Sequence, residues 1–274
     1  VDRVTATAHV RRPERLYAGY AFDLDGTVYL GDALLPSAKR TIDALRSAGR
    51  AIVFISNNPL RTRADYAEKL TRLGIAASPD DVINSSYVLV DYLRRTMPGV
   101  NLFVIGEASI QSELRGAGFT LTDSVKDIDL VVACFDRTFT YQKLQTAFDA
   151  IRAGARFIAT NRDAYCPTPD GGLPDCAAII AAIEACTKHP VEEVVGKPSA
   201  IMGRLLTERL RVSPDDCLIT GDRPETDVAM GIASGMATAL VLTGATPPDQ
   251  AASARPAADF VVERLDQLLL EPAP

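Results

Sequence analysis

The organisation of the chain turns on Tyr20-Ala21-Phe22-Asp23-Leu24-Asp25-Gly26-Thr27. An apolar run, Tyr20 to Phe22, stops abruptly at two carboxylates and a glycine. On a strand, side chains two apart point to one face, so Asp23 and Asp25 are expected to project together from the strand's carboxyl end. Ligands of open α/β sheets bind outside that end. Two adjacent carboxylates repel, so one must be neutralised by a metal or hold a proton. The asymmetry lets one aspartate serve as an ionised nucleophile and its neighbour as general acid. A turn-forming Asp-x-Asp-Gly loop has the same composition, so the choice depends on what lies downstream.

A second apolar run, Ala51-Ile52-Val53-Phe54-Ile55, ends in Ser56-Asn57-Asn58-Pro59. Val195-Gly196-Lys197-Pro198-Ser199 comes much later, and Leu218-Ile219-Thr220 then runs into Gly221-Asp222-Arg223-Pro224-Glu225-Thr226-Asp227. Each has a bland reading when taken alone. Ser and Asn cap helices routinely, lone lysines are mostly solvated surface residues, and Gly-Asp is an ordinary turn pair. Together, acid pair, hydroxyl, lysine and second acid cluster resemble the four motifs of the haloacid dehalogenase (HAD) superfamily. The long insert between serine and lysine resembles the NagD and p-nitrophenyl phosphatase-like subfamily, which carries a large α/β cap. The resemblance extends from about Tyr20 to Asp266.

The resemblance implies a Rossmann-like α/β core with an inserted α/β cap domain. It implies Mg²⁺-dependent hydrolysis of a small phosphorylated metabolite, a sugar, polyol or glycolate-type phosphomonoester, through an aspartyl phosphate. Asp23 would be the nucleophile. Asp25 would protonate the leaving alkoxide and later deprotonate water, its backbone carbonyl rather than its side chain serving the metal. The Ser56 hydroxyl and the backbone N–H groups of Asn57 and Asn58 suit the transferring phosphoryl group. Lys197 would balance the charge of Asp23 and of the phosphate. Asp222 is expected to bind the metal directly, and Asp227 to act through a water or by holding Lys197. The metal positions are thus Asp23, Asp25, Asp222 and Asp227. Their ligands are all hard oxygens, which suits Mg²⁺. Arg223 could approach an anion or brace its loop. Two cap segments, Asp136–Thr140 and Asn161–Asp175, are expected to choose the substrate, with Asp136 and Arg162 as binding residues. Members of the family it resembles usually carry proline at the position of Arg162, and a Pro-Gly-x-Gly where this chain has Pro174-Asp175-Cys176-Ala177. The bland reading of Arg137, Arg162 and Asp175 is solvated loop charge.

Rival functions are a phosphotransferase or mutase on the same core, and an aspartate-phosphorylated signalling module. The module needs neither the insert nor an acid two residues beyond its phosphorylated aspartate. At 274 residues, 47% apolar and 23% charged, the chain is long enough for one large or two ordinary domains. Alternating strand and helix patterns argue for a parallel sheet. The core is placed at 1–90 and 182–274, the cap at 91–181. A net charge of −6 argues against a nucleic-acid partner. The five cysteines form no CxxC pair, which fits reduced thiols in the cytoplasm. No run of 18 apolar residues occurs, so no membrane span is expected. The polar start, Val1 to Arg15, does not read as a signal peptide, and the tail 271–274 is expected to fray. Only His9 and His189 exist, so a histidine-rich zinc site or Ser-His-Asp triad is not expected. Neither GxGxxG nor GxxxxGK[ST] is found, so dinucleotide and P-loop readings lack their glycines. A homodimer is expected from the resemblance alone.

Overall fold

A computed structural model of the chain describes residues 10–168 and 171–270. The expectations for His9, for the first nine residues and for the tail 271–274 lie outside them. The chain divides into two compact units. One holds the residues up to Ser56, Ala67–Ile83 and those from Lys197 on; the other holds Asn57–Tyr66 and Asn84–Gly196.

The first unit is built on a six-stranded sheet in the order Phe260–Val262, Ala237–Val241, Cys217–Gly221, Gly19–Asp23, Ala51–Ser56, Val82–Asn84. Its first five strands pair in parallel. Gly19–Asp23 lies inside the sheet and all five of its residues are buried. A parallel strand covered on both faces reads as a continuous apolar run rather than an alternation, which is why Tyr20–Phe22 stands out. Gly19 faces both Cys217 and Ala51 in register, and Asp23 faces Ile55. The register therefore brings Asp23, Ser56 and the Gly221–Asp222 step to one edge of the sheet.

Helix starts follow local capping chemistry. The Ser199 hydroxyl accepts from Ile201 N–H at 3.1 Å, and the helix runs Ala200–Leu210. Thr62 and Asp65 exchange reciprocal side-chain bonds, Thr62 N–H to Asp65 Oδ2 at 2.8 Å and Asp65 N–H to Thr62 Oγ1 at 3.1 Å. This is a capping box at the start of Arg63–Arg72. After Asp222 the chain makes a wide π-type turn, Pro224–Val228, followed by a short helix, Ala229–Ala233. Such turns recur at functional sites, and this one carries Asp227. The last described element is a 3₁₀ turn over Leu265–Leu268.

The second unit has its own parallel five-stranded sheet, in the order Glu193–Val194, Arg156–Ala159, Leu130–Ala133, Asn101–Ile105, Thr120–Leu121. Phe103, Ile105, Val131, Phe157, Ile179 and Ile183 sit in one core cluster. The unit runs to Gly196 because Glu193–Val194 pairs with Arg156–Ala159. A two-residue strand such as Glu193–Val194 is too short for a period to register in the sequence. Among the described residues no helix is long and apolar enough to cross a membrane, and all five cysteines are free thiols.

Candidate active site

Asp23 ends its strand, and the chain then folds back tightly. The Leu24 carbonyl accepts from the N–H groups of Thr27, Val28 and Tyr29 at 3.3, 2.9 and 3.2 Å. Gly26 sits in this turn at φ +85°, where L side chains are strained. A Cβ on Gly26 or on Gly244 would collide with the Asp222 carboxylate, and one on Gly221 with that of Asp227. Glycines thus let the backbone close in on two acids.

Asp222 follows Cys217–Gly221 and is fixed by a loop that the sequence reading passed over. Ala245 N–H donates to Asp222 Oδ2 at 2.6 Å, and the Thr246 hydroxyl donates to the Asp222 carbonyl at 2.6 Å. The Thr243 hydroxyl donates to the Gly26 carbonyl at 2.6 Å, tying the loop to the first turn. Leu242-Thr243-Gly244-Ala245-Thr246 carried a usable signal: hydroxyls around a glycine straight after a buried strand.

Asp23, Asp222 and Asp227 each offer an oxygen within 4.8 Å of the others. Lys197 Nζ donates to Asp23 Oδ1, and to Asp227 Oδ1 at 2.7 Å. All four side chains are buried, at 6%, 3%, 1% and 4% exposure for Asp23, Asp222, Asp227 and Lys197. Asp227 is further held by Arg223 N–H and the Thr226 hydroxyl, both at 3.3 Å on Oδ2. The Arg223 backbone therefore braces the loop.

Three buried carboxylates are thus grouped around one ammonium that bonds two of them, Asp23 and Asp227. Burial pushes the Asp23 carboxyl well up, opposed by Lys197 and reinforced by Asp227 and Asp222. Burial and then the Asp227 charge push Asp222 up to about 6. Burial works against the charge on Lys197, but Asp227 and Asp23 outweigh it and hold the ammonium above the usual lysine range.

A family model for haloacid dehalogenase-like hydrolases matches residues 20–120, and a HAD-hydrolase-like model matches 194–268. The chain is 40% identical over 227 residues to the sugar-phosphatase AraL of Bacillus subtilis (strain 168), covering 83% of this chain and 84% of that protein. The chain belongs to the haloacid dehalogenase-like hydrolases. It is an enzyme of the phosphatase kind within that family. An acid sugar phosphatase of Staphylococcus haemolyticus is 32% identical over 84% of this chain and 87% of its own length. A 4-nitrophenylphosphatase structure from Thermotoga maritima superposes with a TM-score of 0.88 at 32% identity, covering 92% of this chain and 96% of that one. NagD of E. coli K-12 gives 0.84 at 27% identity, covering 94% and 99%. These likenesses bear out the Rossmann-like HAD core with an inserted α/β unit.

The other expected positions in this HAD hydrolase are placed as follows. Ser56 is buried at the end of its strand. Asp25 is half-buried in the turn after Asp23, and its carboxylate is outside the three-acid group. Asn57 and Asn58 belong to the second unit. The Asn58 carboxamide oxygen accepts from Leu60 N–H at 2.9 Å, a local turn bond. Asp136 is buried and engaged by Thr138 N–H at 2.8 Å, the Thr138 hydroxyl at 2.6 Å and Lys143 Nζ at 2.6 Å. Arg162 is exposed and pairs with Glu184 at 3.1 Å, while Arg137 pairs with Glu107 at 2.7 Å. Asp175 is buried and caps the helix Cys176–Thr187 through Cys176 N–H at 2.5 Å.

The acid cluster fits a hard divalent cation. Three buried carboxylates against one ammonium leave excess negative charge that burial makes costly. Asp23, Asp222 and Asp227 are the groups that would hold Mg²⁺, whose preferred ligands are such oxygens. A consequence can be measured without turnover. Between the ordinary carboxyl value of 3.8 and about 6, the metal-free folded state keeps a proton on Asp222 that the unfolded chain has lost. The folded state binds more protons there, so metal-free stability falls as pH rises through this window. Mg²⁺ bound there would compete with that proton. A rise in Tm on adding Mg²⁺ should therefore be small near about pH 5 and larger near about pH 7.5, by linkage. Asp222→Asn should remove most of it. An equal rise at both pH values would contradict the assignment.

Proposed function

We propose that the protein is a Mg²⁺-dependent phosphatase that hydrolyses small phosphomonoesters, sugar phosphates foremost, through an aspartyl phosphate on Asp23. The observation that carries this reading is the carboxylate at the end of an internal parallel strand, hydrogen-bonded by a buried lysine and grouped with two further acids. The names of the sugar-phosphatase relatives support the substrate class.

The chemistry assigned to each residue is specific. Asp23 attacks phosphorus in line as the ester P–O bond breaks, and Asp25 gives its proton to the departing oxygen. Asp25 then takes a proton from water as that water attacks the phosphorus, which frees Asp23 and inorganic phosphate. The Ser56 hydroxyl donates to a phosphoryl oxygen. The Lys197 ammonium, held by Asp227, offsets charge on Asp23 and the phosphoryl group. Bound Mg²⁺ supplies the charge neutralisation that lets an anionic carboxylate and an anionic ester share one site.

The test is free phosphate released from p-nitrophenyl phosphate and from a panel of sugar and polyol phosphates, with Mg²⁺ and with chelator. Mg²⁺-dependent release supports the proposal. Transfer to a second organic acceptor without free phosphate would instead indicate a phosphotransferase. Asp25→Asn should slow aspartyl-phosphate formation from alkyl phosphates strongly and from p-nitrophenyl phosphate much less, since nitrophenolate departs without a proton. Equal losses in a stopped-flow burst would remove Asp25 from the general-acid role.

A further inference from the structure

The chain passes between the two units at four places, two of which are Ser56–Asn57 and Gly196–Lys197. Each of these two crossings places a residue of the second unit directly beside one assigned above to the phosphoryl group. Within the second unit, one short segment grips both crossing residues. The Thr160 carbonyl accepts from Gly196 N–H at 2.8 Å. Asn161 Nδ2 donates to the Asn57 carbonyl at 3.1 Å. The Asp163 carboxylate accepts from Asn57 Nδ2 on both oxygens, at 3.1 and 3.2 Å. The Ser85 hydroxyl donates to the same Asn57 carbonyl at 2.6 Å.

Shape reinforces these bonds. A Cβ on Gly196 would strike the Thr160 carbonyl and the Asn57 carboxamide oxygen, so Gly196 lies against both. The Asn57 side chain is thus held between Asp163 and Gly196. A carboxylate acceptor makes this grip stronger than a neutral pair would. A rotation of the Asn57 side chain would break the bonds to Asp163 and disturb the packing on Gly196.

We propose that Asp163 is a positioning residue: by fixing Asn57 against Gly196 it sets the backbone that carries Ser56 and Lys197. The proposal rests on the phosphatase reading given above. A small displacement of groups aimed at a transition state is expensive, so the effect should fall on kcat and be independent of the leaving group.

The test uses the full chain with Mg²⁺ and two substrates, p-nitrophenyl phosphate and the best sugar phosphate of the panel. Asp163→Ala should lower kcat for both by roughly 10- to 100-fold, the range for one charge-assisted hydrogen bond. KM and the Mg²⁺-induced rise in Tm should stay near wild type. Asn57→Asp should be at least as slow, because it opposes two carboxylates. The double variant Asn57→Asp/Asp163→Asn restores a donor facing an acceptor with the roles reversed. Its kcat should recover to within about threefold of wild type, a non-additivity expected only of directly coupled residues. Recovery also shows that the single variants were not lost to misfolding.

An Asp163→Ala variant with kcat within twofold of wild type overturns the proposal. So does a loss confined to the KM of the sugar phosphate, which would make Asp163 a substrate contact. So does a double variant no faster than Asn57→Asp. An active Asp23→Asn variant would refute the phosphatase reading itself. An inactive one beside an unaffected Asp163→Ala refutes only the positioning role.

Discussion

Asp23→Asn should abolish turnover of every phosphomonoester, by on the order of 10⁴-fold or more, as expected when the nucleophile of a catalytic unit is removed. The amide is nearly the same size as the carboxylate and keeps an oxygen for Lys197, so the fold should persist. The direction of the Asp23 shift adds a second expectation. Its carboxyl titrates well above the ordinary range because it is buried, and because Asp227 and Asp222 add their charge. A raised folded-state pKa means that the ionised form weakens the fold at neutral pH, an effect that fades in acid. The metal-free Asn variant should therefore be at least as stable as wild type at neutral pH, by thermal unfolding. Loss of folding together with activity would contradict this account, as would activity within tenfold of wild type.

Lys197→Ala should damage both stability and catalysis. The ammonium is 4% exposed and donates to Asp23 and Asp227. Breaking a buried pair from one side leaves uncompensated charge and costs about 3–5 kcal/mol. Lys197 titrates above the usual lysine range, chiefly because Asp227 and Asp23 outweigh its burial. Its contribution is therefore fully present at neutral pH and fades only in strong alkali. Urea unfolding without Mg²⁺ should show the loss. Adding Asp227→Asn to Lys197→Ala should recover part of it by removing one stranded carboxylate, while activity stays lost. A stability change under about 1 kcal/mol would mean that the acids find other compensation.

What could be read from the sequence follows from how each residue is placed. Asp23 and Asp222 each end or follow a fully buried parallel strand, and such a strand announces its own end by an apolar run meeting a charge. The Ser199 and Thr62 caps were legible because capping is local chemistry. The loop Thr243–Thr246 was not, since its role depends on a carboxylate more than twenty positions away. The π-type turn at Pro224–Val228 is not legible, because the bonds from Arg223 and Lys197 that hold Asp227 inward have no helical period. The helix Cys176–Thr187 is illegible for a different reason. Its Cys-Ala-Ala-Ile-Ile-Ala-Ala-Ile start is apolar on every face, so no stripe distinguishes it from a buried strand. The hairpin strands Tyr29–Leu30 and Ala33–Leu34 are too short to show alternation. The clamp of Asp163 on Asn57 joins positions 106 apart, and only the folded chain brings them together.

The proposed covalent bond between Asp23 and phosphorus can be trapped by acid-quenching the Asp25→Asn variant during turnover of p-nitrophenyl phosphate labelled on phosphorus, with Mg²⁺ present. That variant should still form the intermediate from this ester, but lacks the base that hydrolyses it. Close to one label per chain is expected, stable in acid, released by hydroxylamine, and found on the peptide containing Asp23. A burst of nitrophenolate with no protein-bound phosphate, or label on any other residue, would contradict the covalent bond to Asp23.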